Sequence, residues 1–94
     1  MTDQPDAATL REKAREAIQR GKLPAAQPAR RFGGPGSGAI CPVCGETVRP
    51  QQMELEIHFA RRGGAFDRYH LHPRCHAAWE SEQRKSEAGD EGGR

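Results

Sequence analysis

The sequence predicts a small α+β fold held together by a metal ion, and three observations predict it. All three cysteines of the 94-residue chain lie in two short motifs, Cys41-Pro42-Val43-Cys44 and His72-Pro73-Arg74-Cys75. Between them runs one period-two apolar stripe, and behind them one helical pattern. Apolar content is low, with 34% hydrophobic residues and a mean hydropathy of −0.93, so the side chains alone build only a thin core. A bound metal supplies the missing cross-link.

The two motifs have the spacing of a closed structural zinc site, C-x2-C followed by H-x2-C. Such sites are tetrahedral, with thiolate and imidazole ligands and no position left for water. Two residues between paired cysteines let one tight turn bring both sulfurs to the same ion. Gly45 permits the left-handed conformation that wraps the turn back, and Pro42 presets φ inside it. In the second motif Pro73 suits the first turn of a helix, where its missing N–H costs nothing. His72 then stands at the helix entrance and Cys75 in the first turn, where the helix dipole favours a thiolate.

The predicted ligands are therefore Cys41, Cys44, His72 and Cys75, holding one Zn2+. The fourth ligand has competitors. His70 alternates with His72 along one strand and is the substitute ligand or an outer hydrogen-bond donor. His76 would point about 100° away from Cys75 around the helix, and His58 lies on the preceding strand. A redox dithiol would need a strand–helix–strand pattern around Cys41 and Cys44, and would leave Cys75 over. A disulfide framework would leave one of three cysteines unpaired. Unrelated buried cysteines do not account for the paired spacing with His72.

Taken in order, residues 1–6 are polar and expected to be disordered. Residues 7–21 read as a helix, with Asp6 as N-cap and Gly21 just past its end. Leu10, Ala14, Ala17 and Ile18 form a thin apolar stripe, and Glu12–Arg15 and Glu16–Arg20 have the spacing of supporting ion pairs. This helix is either a basic element that lies on nucleic acid or a solvated one that docks on the zinc core or on a partner. Residues 22–39 read as a flexible linker, with prolines at 24, 28 and 35 and the string Gly33-Gly34-Pro35-Gly36-Ser37-Gly38. That string lacks the Gly-Lys-Ser/Thr of a phosphate loop.

Residues 40–85 form the predicted zinc-binding domain. After the knuckle, Met53, Leu55, Ile57 and Phe59 alternate with Glu54, Glu56, His58 and Ala60, a strand with one apolar face. Arg61-Arg62-Gly63-Gly64 is the hairpin turn and Phe66 to Leu71 the returning strand. From Pro73 a helix is expected to about Lys85. It places Trp79 on the same face as Cys75, packed on the hairpin, where a buried indole must find an acceptor. Residues 86–94 are read as a polar disordered tail.

Knuckle, hairpin, then a helix carrying the second ligand pair is the element order of a treble-clef zinc finger. The ligand set, with Tyr69-His70 just ahead and Trp79 behind, resembles the zinc fingers of poly(ADP-ribose) polymerases and, more distantly, the first half of a LIM domain. The resemblance covers about residues 41–80. The central spacing is slightly shorter than in the polymerase fingers and longer than in LIM domains. The resemblance implies Cys41, Cys44, His72 and Cys75 as ligands. It also implies one of two activities, since the polymerase fingers bind DNA breaks and LIM modules bind proteins.

The charge balance is only +2, too small by itself to declare a polyanionic partner. The basic excess lies in residues 1–39, with seven basic and four acidic side chains. Nucleic acid is the expected partner. Its contacts would be Arg61 and Arg62 at the hairpin tip, Arg68 on the returning strand, and Arg30 and Arg31 beside Phe32. Glu54 and Glu56 work against a uniformly basic face. The alternative is a protein-interaction adapter, with the tethered N-terminal helix docking in a partner's groove. A closed site has no position to activate water, so no enzyme is expected. The chain has no apolar run long enough to span a membrane and no signal-peptide pattern. Reduced cysteines then fit the cytoplasm, and a monomer is expected.

Overall fold

Asp6 opens the first helix as the sequence predicts. Its side chain accepts from Thr9 N at 2.9 Å, and its carbonyl accepts from Leu10 N at 3.0 Å. The structure, a computed structural model, describes residues 6–92, with side chains through residue 85. The disorder expected of residues 1–5, and of 93 and 94, lies outside the described residues. Helix α1 spans Ala7–Gln19 and β1 Arg30–Pro35, followed by β2 Met53–Ala60 and β3 Phe66–Leu71; α2 spans Pro73–Gly92. Together they make a small α+β fold of two helices and one three-stranded antiparallel sheet in the order β1-β2-β3.

The hairpin is as expected. Leu55 pairs with Leu71 and Ala60 with Phe66, and Arg61 N closes the turn on Ala65 O at 2.8 Å. Ile57, Phe59 and Leu71 face α2, where Trp79 is fully buried and meets Phe59 edge-on at 6.0 Å. Met53, expected on the same face, sits at the strand's start and is 59% exposed.

The linker expected at residues 22–39 is instead part of the fold. Leu23 is buried in the core, and Trp79 Nε1–H donates to Pro24 O at 2.9 Å. Arg30–Pro35 pairs along β2, from Arg30↔His58 to Pro35↔Met53. Neither glycines nor prolines favour a strand, but this is an edge, where a proline at the last position removes no ladder bond. Beyond it the glycine string runs back along the segment after the knuckle. Gly36 N donates to Gln52 O and Gly38 N to Val48 O, both at 2.9 Å. A side chain at Gly36 would overlap the backbone of Arg49 and Val48, so glycine serves here for close approach rather than for flexibility.

Two further expectations change. The apolar stripe of α1 is not free for a partner's groove: Leu10, Ala14 and Ala17 are buried, with α1 packed on α2. Of its two predicted ion pairs, Glu12–Arg15 forms at 3.5 Å, whereas Glu16–Arg20 is not made among the described residues. At the other end, α2 continues past residue 85 to Gly92, through most of the segment read as a disordered tail. Extending a docked helix costs far less than nucleating one.

Candidate metal centre

The four predicted ligands converge. The knuckle turn closes with Gly45 N donating to Cys41 O at 2.8 Å and Cys41 N to Glu46 O at 2.9 Å, with Gly45 at φ 80°. Ile40 bridges Thr47 across its base. On the other side His76 N donates to His72 O at 2.8 Å, which makes His72 the entry residue of α2 and sets Cys75 in its first turn. The ligand atoms of Cys41, Cys44, His72 and Cys75 all lie within 4.8 Å of one another.

Their separations suit a tetrahedral ion. Zinc–sulfur and zinc–nitrogen bonds at tetrahedral angles put neighbouring S and N about 3.6 Å apart and two sulfurs about 3.8 Å apart. His72 Nδ1 stands 3.4 Å from Cys44 Sγ and 3.9 Å from Cys75 Sγ. The imidazole's orientation is held from behind. Its Nε2–H donates to Gln52 Oε1 at 3.2 Å, and the same oxygen accepts from Arg49 N at 2.7 Å. With its Nε2 protonated, the ring presents Nδ1 to the sulfurs.

The thiols behave as a coupled set when no cation neutralises them. A hydrogen bond from Cys75 holds the Cys41 thiol down, to about 4. Burial pushes Cys44 up, and Cys75 rises because it shares its proton with Cys41 and is buried beside it. A divalent cation would displace the protons that the raised thiols hold. The arrangement is a closed set of soft and borderline donors, compatible with one metal ion.

The competing histidines have other work. His70 Nδ1–H donates to Glu54 Oε2 at 2.7 Å, and Glu54 Oε1 accepts from Ser37 N at 2.9 Å and from its hydroxyl at 2.7 Å. Burial opposes ionisation of Glu54, but these bonds outweigh it and hold the carboxyl below its usual range. His58 donates to Glu56 at 2.8 Å, and its ring lies between Phe32 and Phe66. The second face of the sheet is thus a half-buried polar and aromatic layer. Strand alternation alone reads it as solvated.

The five arginines predicted to contact nucleic acid are dispersed. Arg31 is committed to α2, donating through Nε to His76 Nε2 and through Nη2 to Glu80, both at 3.2 Å. Burial lowers the basicity of His76, which keeps the lone pair that Arg31 needs. Arg30 lies over the Phe66 ring at 4.3 Å. Arg61 pairs with Asp67 at 3.5 Å, and Arg62 sits beside it in the exposed turn. Arg68 lines a cleft that also takes in Lys13, Arg20 and Lys22.

No protein-family model, no curated protein and no solved structure matches this chain. No helix among the described residues is long and apolar enough to cross a membrane.

Proposed function

We propose that this chain is a zinc-structured module of treble-clef type that binds nucleic acid in an accessory role. The observation that carries the metal assignment is the convergence of Cys41, Cys44, His72 and Cys75 from the knuckle and the start of α2. Three thiolates and one imidazole select zinc among the common divalent ions and complete its tetrahedron. With no open position, the ion is structural and the module is not an enzyme. The reduced thiols that such a site needs suit the cytoplasm.

The nucleic-acid reading is supported by cations left without anionic partners among the described residues, Lys13, Arg20, Lys22, Arg62 and Arg68. The adapter reading is less favoured, because the apolar face of α1 is consumed within the chain. The test is binding of the protein, first confirmed to carry one zinc per chain, to labelled single- and double-stranded DNA and RNA over a range of salt. Affinity that falls steeply with salt supports the proposal. A folded, zinc-loaded protein that binds none of them at low salt refutes it.

A further inference from the structure

Between α1, the knuckle and the free edge of β3 lies a cleft of about 600 Å³. That is within the range of about 300–1,000 Å³ of sites that engulf small ligands. Lys13 and Arg20 come from α1, Lys22 from the turn after it, and Arg68 from β3, so three separate pieces of the fold bring four cations to one concavity. None of the four has an ion-pair partner among the described residues, although other basic residues of the chain do find one: Arg15, Arg31, Arg61, Arg84 and Lys85. Four like charges without ion-pair partners around one hollow repel each other. An anion seated among them relieves the repulsion.

The opposing terms are smaller. Glu16 lines the cleft, and a zinc bound by three thiolates, two of them from lining residues Cys41 and Cys44, contributes one further negative charge. The C-terminal end of α1 is also electronegative. Four cations exceed these. Tyr69 completes the lining: it is half-buried, edge-on to Phe59 at 5.7 Å, and its hydroxyl has no partner among the described residues.

We infer that this cleft binds single-stranded nucleic acid, with Lys13, Arg20, Lys22 and Arg68 contacting phosphates and Tyr69 contacting a base or sugar. The inference rests on the nucleic-acid reading above and locates it. A basic groove with an aromatic in its wall is how sequence-tolerant single-strand sites are built. A duplex, convex and stiff, cannot enter a concavity of this size. One wall is the knuckle itself, so the site exists only while the metal holds Cys41 and Cys44 in place.

The experiment uses the full, zinc-loaded chain and a fluorescent twelve-nucleotide oligothymidylate, with affinity measured between 50 and 200 mM salt. Amide chemical shifts are followed in parallel. Four phosphate contacts predict a slope of log affinity on log salt of about −2.8, with shifts centred on residues 13–22 and 68–70. Lys13→Glu/Arg20→Glu should lower the affinity at least tenfold and bring the slope to about −1.4. The gentler Arg20→Ala/Lys22→Ala gives the same slope with a smaller loss, which guards against a misfolded helix. Arg61→Glu/Arg62→Glu, at the hairpin tip, should leave affinity within about twofold. If that tip variant abolishes binding while the cleft variants retain it, or if duplex binds better than single strand, the cleft assignment is overturned and the nucleic-acid reading stands. If the folded, zinc-loaded protein binds no oligonucleotide at low salt, both are overturned.

Discussion

Gln52 offers the sharpest test of the metal centre, because it touches no metal and still orients a ligand. His72 Nε2–H donates to Gln52 Oε1 at 3.2 Å, while Arg49 N donates to the same oxygen at 2.7 Å. Loss of such an outer partner costs about 10–100-fold in metal affinity, equivalent to about 1.4–2.7 kcal/mol. A contact of 3.2 Å is at the long limit for N–H···O, which places the effect at the lower end. Gln52→Ala is therefore expected to weaken zinc binding about tenfold in competition with a chromophoric chelator near neutral pH. Gln52→Glu keeps an acceptor for both donors and makes it anionic, so its affinity should equal or exceed that of the unaltered protein. The neighbouring Gln51→Ala is the control, since Gln51 is exposed. Equal zinc affinity in Gln52→Ala and the unaltered chain, or an equal loss in Gln52→Glu and Gln52→Ala, would refute the placement of Nδ1 on the metal.

Four other outcomes are expected. Zinc binding should release protons, because the thiols must ionise to act as ligands, so the apparent zinc affinity should rise between about pH 6 and 8; an affinity independent of pH would refute thiolate ligation. Cys75→Ser, or chelation of the metal, should abolish the cooperative unfolding transition, and a sharp transition in metal-free protein would show that the ion is dispensable. Trp79→Phe removes the donor to Pro24 O and leaves a void beside Phe59, costing about 2–4 kcal/mol, or about 10–25 °C in thermal midpoint, in the zinc-loaded protein. Glu54→Gln should cost about 1.5–3 kcal/mol at neutral pH. The folded carboxyl titrates below its ordinary value of 4.5, so this stabilisation is present above that pH and fades as pH falls through the lower, folded value. A difference between variant and parent that persists unchanged at acid pH would refute the assignment to the Glu54 carboxylate.

What could be read from the sequence was local. The ligand set follows from two-residue spacings that one turn, or one turn of helix, brings to a point. Gly45 and Pro73 mark those turns by their own backbone preferences. The hairpin from Met53 to Leu71 declares itself by a two-residue period around a glycine-rich turn, and α1 by its Asp6 cap. Each of these depends on residues a few positions apart.

What only the tertiary structure decided depends on partners far along the chain. Arg30–Pro35 has the composition of a linker and becomes a strand because β2 supplies the ladder and α2 supplies the acceptors for Arg31. Gly36 looks like slack and is a point of close approach to Val48 and Arg49. His70, two residues from His72, is held by Glu54, sixteen positions away, and so stands outside the cluster of Cys41, Cys44, His72 and Cys75. The four cations of the cleft lie at positions 13, 20, 22 and 68, with no spacing that any motif would register. Short-range preferences are written residue by residue, whereas a site assembled from a helix, a turn and a strand edge has no periodicity to betray it until the chain closes on itself.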